Sequence, residues 1–193
     1  EAPPRAEDAL VAYEQAIGAG NTYVMRQLAG LLAQADGPFP VDRARAESLL
    51  KQAVAAGDVS DGAADLGDFY LSGKPVQVAD AAAAYERAIA AGNVGAMLKL
   101  SRVMLTGGDG VAVDPDRARS LIEDAIAAGN IRAGSLALGT FYRAQANPDY
   151  AAAAEAYQRS ADAGETWSVL ALADMAARGQ GEPVSFSRAR RLI

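Results

Sequence analysis

The sequence has no cysteine, so neither a disulfide frame nor a thiolate metal site can form. It has no histidine either, which removes the commonest general base near neutral pH and the commonest zinc ligand. Most familiar hydrolase and metalloenzyme sites are thereby disfavoured. Aromatic residues make up only 6% and tryptophan occurs once, leaving few rings to stack against a sugar or a base. Positive charge is in deficit: fifteen Arg and three Lys are scattered among 24 carboxylates, for a net charge of -6. That balance argues against nucleic acid, whose phosphates need a basic surface. No apolar run approaches the roughly 20 residues of a membrane span, and the Glu1-Ala-Pro-Pro start lacks the basic and apolar regions of a signal peptide.

What the chain does have is alanine, about a quarter of all residues, and a repeat. Ala84-Tyr-Glu-Arg-Ala-Ile-Ala-Ala-Gly-Asn93 has close copies beginning at Ala12 and Ala156, which place Tyr13, Tyr85 and Tyr157 at intervals of 72. Sister copies begin at Leu49 and Leu121, carrying Leu or Ile in place of the tyrosine. The Ala-Gly pairs at Gly20, Gly57, Gly92, Gly129 and Gly164 are spaced by 37, 35, 37 and 35 residues. A period in that range is the mark of a helical solenoid.

Each period reads as two amphipathic helices. From Arg5 to Ala19, residues Ala6, Ala9, Leu10, Tyr13, Ala16 and Ile17 share one side of a 3.6-residue period. A second helix, 21–35, follows Gly20. The same grammar places helices at about 41–56, 58–72, 78–91, 93–106, 115–128, 130–145, 148–163 and 165–178. Breakers at Gly73-Lys-Pro75 and Gly107-Gly-Asp-Gly110 fall between them. Asp114-Pro115 and Asn147-Pro148 both read as an N-cap followed by proline in the first turn. The whole chain, 1–193, is read as one array of about five helix pairs, 35 to 37 residues each, and part of a longer protein. Arg188-Ala-Arg-Arg-Leu-Ile193 matches the starts of the helices at Arg43 and Arg117, so the last unit is expected to stop mid-helix.

Aligning the post-glycine helices on Leu28, Leu66, Leu100, Leu138 and Leu172 exposes the design. One column of small residues runs Ala29, Gly67, Ser101, Gly139, Ala173, and another Val24, Gly62, Ala96, Gly134, Ser168. Glycine in mid-helix costs about 1 kcal/mol relative to alanine, so helices are expected to approach closely there. Three other columns vary freely: Tyr23, Asp61, Gly95, Ala133, Trp167; Gln27, Asp65, Lys99, Ala137, Ala171; and Gly30, Asp68, Arg102, Thr140, Asp174.

The motifs Leu66-Gly67-x-x-Tyr70 and Leu138-Gly139-x-x-Tyr142, the Gly110-x-x-Val113 before a helix and the Ala-Ala-Gly after it together resemble the Sel1-like repeat, a relative of the tetratricopeptide repeat. Departures are Leu32, Met104 and Ala176 in place of the family's tyrosine, and a 144–148 loop without glycine. The resemblance implies an all-α, right-handed α-solenoid of antiparallel helix pairs whose post-glycine helices line a concave face. It also implies a non-enzymatic adaptor without cofactor or metal that assembles other proteins. In bacteria such proteins often work in the envelope, including scaffolds of alginate-like exopolysaccharide secretion.

On that reading the partner-binding residues are Tyr23, Gln27, Asp61, Asp65, Asp68, Lys99, Arg102, Thr140, Trp167 and Asp174. Tyr23 and Trp167 are the expected anchors. Asp61, Asp65 and Asp68 form an acidic stripe on one helix, with Lys99 and Arg102 of the next unit as its expected counter-charges. The partners expected are proteins of an envelope or secretion complex, and the location periplasmic or outer-membrane-associated, with the cytoplasm as the alternative. A polysaccharide or cell-wall ligand and a regulatory adaptor of a signalling pathway are the competing functions. Tyr13, Tyr85 and Tyr157 sit at core spacing and are read as packing residues.

Overall fold

A computed structural model describes residues 6–180. The expected helix beginning at Arg188 lies outside them. Among the described residues the regular structure is ten α-helices: α1 (Ala6–Gly18), α2 (Thr22–Ala33), α3 (Arg43–Ala55), α4 (Val59–Leu71), α5 (Val78–Ala90), α6 (Val94–Thr106), α7 (Pro115–Ala127), α8 (Ile131–Ala144), α9 (Tyr150–Asp162) and α10 (Thr166–Ala177). Each lies within a few residues of an expected helix. The one non-helical pairing described is an isolated bridge between Gly108 and Val111.

The Ala-Gly pairs are helix stops. Gly20, Gly57, Gly92, Gly129 and Gly164 all adopt φ between 82 and 104°, a left-handed conformation that lacks the usual penalty only for glycine. In every copy the amide after the glycine donates back to a carbonyl five residues earlier, as from Asn21 to Ala16 and from Asn130 to Ala125. This is the Schellman closure of a helix C-terminus. A side chain at any of the five would meet nothing within 4 Å, so backbone conformation, not crowding, selects the glycine.

Helix starts follow from side-chain caps. The Asp114 carboxylate accepts from the Arg117 amide at 2.9 Å, with Pro115 in the first turn, as expected. Asn147-Pro148 behaves differently: the cap is Asp149, which accepts from the Ala152 amide at 2.9 Å, so α9 begins at Tyr150. A carboxylate in reach of the free amides displaces the start by two residues, and Pro148 stands ahead of the cap.

The helices form two compact units. One runs through Ala96 and takes in Gly107–Ala112; the other takes Met97–Thr106 and the chain from Val113 onward. In the first, Leu28, Leu32, Leu49, Leu50, Val54, Leu66 and Tyr85 are buried between α2, α3, α4 and α5. In the second, Ile122, Leu138, Phe141 and Ala156 form one core cluster, against which Leu98 and Leu105 of α6 pack. Tyr157, Leu172 and Met175 form another. Each such Leu, Ile, Val, Phe or Met side chain contributes about 1.5–3 kcal/mol on burial.

The small columns have two distinct causes. A Cβ on Gly62 would lie 2.9 Å from Val54 Cγ2, and one on Gly134 would lie 2.6 Å from Ile126 Cγ1, both on the preceding helix. A Cβ on Gly67 would lie 2.3 Å from Tyr85 Cε1, and one on Gly139 2.6 Å from Tyr157 Cδ1, both on the following helix. Helices α4 and α8 are thus pressed from both sides. They sit between a Leu-type copy and a Tyr-type copy, so the packing repeats every 72 residues.

Candidate protein-binding surface

The variable columns lie on the post-glycine helices. Tyr23 and Trp167 are 60% and 69% exposed, so both rings stand in solvent on α2 and α10. Gln27, Asp61, Asp68, Arg102 and Thr140 are also exposed, while Asp65, Lys99 and Asp174 are half-buried.

In the first unit the acidic stripe converges on a residue that column reading had passed over. Arg26 Nε donates to Asp65 Oδ2 at 2.6 Å, and Nη1 donates to Asp58 Oδ2 at 3.1 Å and Asp61 Oδ2 at 3.3 Å. Burial alone would lower the Arg26 pKa, but the hydrogen bonds to Asp65 and Asp58 outweigh it and hold the guanidinium above its ordinary value. A counter-charge to Asp61 and Asp65 therefore reaches back from α2. A signal for it was present: in the column two before the leucine, Arg26, Ala64, Leu98, Leu136 and Leu170, Arg26 is the lone charge.

Asp68 accepts from the Tyr85 hydroxyl at 2.7 Å. Thr140, the residue 72 further on, meets the Tyr157 hydroxyl at 3.3 Å. Two of the candidate binding residues thus also hold the phenols that press on Gly67 and Gly139. Asp174 is engaged by Arg143 and by Arg178 Nε at 2.7 Å. The Arg178 and Arg143 hydrogen bonds hold its carboxyl below the usual range, and Arg143 is raised in turn by Asp174.

The structure gathers these residues around two grooves at equivalent places. The first, about 360 Å³, lies between α2 and α4 over Leu50, with Arg26, Gly30, Asp65, Asp68 and Phe69 in its walls. The second, about 610 Å³, lies between α6 and α8 over Ile122, with Leu98, Arg102, Ala137, Thr140 and Phe141 in the corresponding positions. Adding 72 to each of the first set yields the second. Asp65 and Asp68 thus share one groove and Arg102 and Thr140 the other. Tyr23, Gln27, Asp61, Lys99, Trp167 and Asp174 lie outside both linings.

Among the described residues no group of three or more Asp or Glu side chains is placed to hold a metal ion, and no helix is long and apolar enough to cross a membrane.

No protein-family model and no curated protein matches the sequence. Solved structures do resemble it. A protective antigen present in uropathogenic Escherichia coli strains, displaying an SLR fold, superposes with a TM-score of 0.74 at 20% identity over 97% of this chain. The chain spans 40% of that protein's length. A Sel1 repeat protein from Oxalobacter formigenes superposes with a TM-score of 0.73 at 21% identity, over 97% of this chain and 77% of its own. The architecture is that of an α-solenoid built from consecutive helix pairs. More narrowly it is the Sel1-like repeat fold, which the Leu-Gly-x-x-Tyr and Ala-Ala-Gly motifs imply.

Proposed function

We propose that the chain is a protein-protein interaction scaffold that holds partners on its post-glycine helices. The observation that carries this reading is a constant packing frame with changing surface chemistry. Leucines and small residues keep the helices in place, while the neighbouring columns run from aromatic to acidic, basic and hydroxyl-bearing. Surfaces of that kind, on repeated elements, suit recognition of extended partners. Exposed Tyr23 and Trp167 supply anchors of the type that dominates interface energetics.

The setting we assign is a bacterial cell-envelope complex, of the sort that assembles and exports exopolysaccharide. The similar folds are bacterial, and one is a protective antigen, which supports an envelope setting. With a net charge of -6 the chain is unsuited to gripping an acidic polymer directly. Its role is then to organise proteins. Affinity capture from a bacterial envelope extract, with this chain as bait and mass spectrometry as readout, tests the reading. Recovery of membrane-bound export components supports it, and recovery of soluble signalling proteins alone replaces the envelope setting with a regulatory one.

A further inference from the structure

We infer that the groove between α6 and α8 docks a segment of a partner protein that presents an apolar side chain next to a carboxylate. This rests on the reading of the chain as a protein-binding scaffold and names the chemistry of one of its sites.

The comparison between the two equivalent grooves carries the inference. Moving from the first to the second, Arg26 becomes Leu98, Asp65 becomes Ala137, Asp68 becomes Thr140 and Gly30 becomes Arg102. Every change has the same sense. Two carboxylates disappear, the guanidinium that Asp65 engages is replaced by an aliphatic chain, and a new guanidinium appears at the rim. The first groove is smaller and spanned by the Arg26–Asp65 ion pair, whereas the second is roomier and walled by Leu98, Leu105, Ile122, Leu136 and Phe141.

The polar groups of the second groove are nearly all committed to their own helices. Ser101 Oγ donates to Leu98 O at 2.8 Å, Thr140 Oγ1 to Leu136 O at 2.9 Å and Gln145 Nε2 to Phe141 O at 3.1 Å. Arg102 differs: among the described residues its exposed guanidinium has no hydrogen bond or ion pair. It is the one charged side chain of the lining. An occupant that filled the groove with a neutral polar segment would desolvate those donors without replacing their water, at a penalty that a carboxylate removes by pairing with both guanidinium nitrogens. An apolar side chain of the occupant would meet the aliphatic walls. The first groove, with Asp65 and Asp68 at the same places, repels the same segment.

The test is selection of a random dodecapeptide phage library on the immobilised full chain. Enriched peptides are then synthesised and titrated by fluorescence polarisation. The expected result is a shared pattern of an apolar residue close to Asp or Glu. Binding is expected to weaken about tenfold or more in Arg102→Gln and in Ala137→Asp, which restores the first groove's carboxylate. Arg102→Lys should recover part of the affinity, and Arg87→Gln, which removes an exposed guanidinium outside both linings, should leave it unchanged. Arg102 is exposed, so its variants test binding without threatening the fold, which thermal melts verify. The inference is overturned if no peptide is enriched, if the enriched set has no acidic preference, or if Arg102→Gln binds as well as the parent. Envelope partners that are still captured by Arg102→Gln and Ala137→Asp alike would overturn it too while leaving the scaffold reading intact.

Discussion

The ring of Tyr85 occupies the space that any side chain on Gly67 would need, with Cε1 only 2.3 Å from the position of a Cβ there. Tyr85 is 1% exposed and cannot swing out freely. The pair recurs as Gly139 and Tyr157, and it fixes how closely successive helices stack within each unit.

Gly67→Ala and Gly139→Ala should therefore destabilise the chain. Alanine improves helix propensity by about 1 kcal/mol, but forcing a methyl against a buried ring costs typically 1–3 kcal/mol or more. Gly30→Ala is the control. It is exposed, inside α2, and a methyl there meets nothing within 4 Å, so it should stabilise by up to about 1 kcal/mol. Urea unfolding of the three variants checks the contrast.

Arg26→Leu installs the residue found 72 positions later at Leu98. It leaves Asp58, Asp61 and Asp65 facing one another without their shared cation. A loss of about 1–2 kcal/mol is expected for this partly buried network, and adding salt should narrow the gap by screening the repulsion. Asp65→Asn in the same background should recover part of the loss.

Ser135 Oγ is fully buried and has no hydrogen-bond partner. Replacing the hydroxyl by hydrogen removes an unmet donor, so Ser135→Ala should be neutral or stabilising by about 1 kcal/mol. Ser160→Ala should do the opposite, since its hydroxyl donates to Arg132 O at 2.7 Å. Paired thermal melts distinguish the two serines.

Acidification should act through Glu47 and Asp174. The Lys51 ammonium, with a further bond from the Tyr70 hydroxyl, holds Glu47 low against the opposing effect of burial; Asp174 is held low by Arg178 and Arg143. Both carboxyls have folded-state pKa values below the unfolded ones. Their contribution is present above the ordinary carboxylate range of about 4 and is lost as pH falls through the lowered values. Glu47→Gln should flatten the acid limb of a stability-versus-pH curve, whereas a limb identical to the parent's would remove Glu47 as a contributor.

The fold was legible because its signals are local. Helix stops at Gly20 and Gly129 need only a left-handed glycine, and the leucine column needs only a 3.6-residue period. The small columns announced close approach, although which neighbour presses on Gly62 and which on Gly67 depends on tertiary packing. The surface was harder to read. Columns identified exposed Tyr23 and Trp167, but the role of Arg26 required knowing that its side chain crosses to the helix after next, where Asp58 ends one loop and Asp65 lies two turns on. Asn147-Pro148 misled for a related reason, because Asp149 competed for the same helix start. The two grooves became visible only when residues 72 apart were set side by side in space.

If outward-facing side chains on a constant frame hold partner proteins, removing the most prominent of them should empty the surface. The deciding measurement repeats the envelope capture with a Tyr23→Ala, Arg102→Ala, Trp167→Ala triple variant alongside the parent. All three residues are exposed, so the variant should unfold at the same urea concentration while losing most of the captured proteins. An unchanged set of captured proteins, in unchanged yield, would contradict the claim.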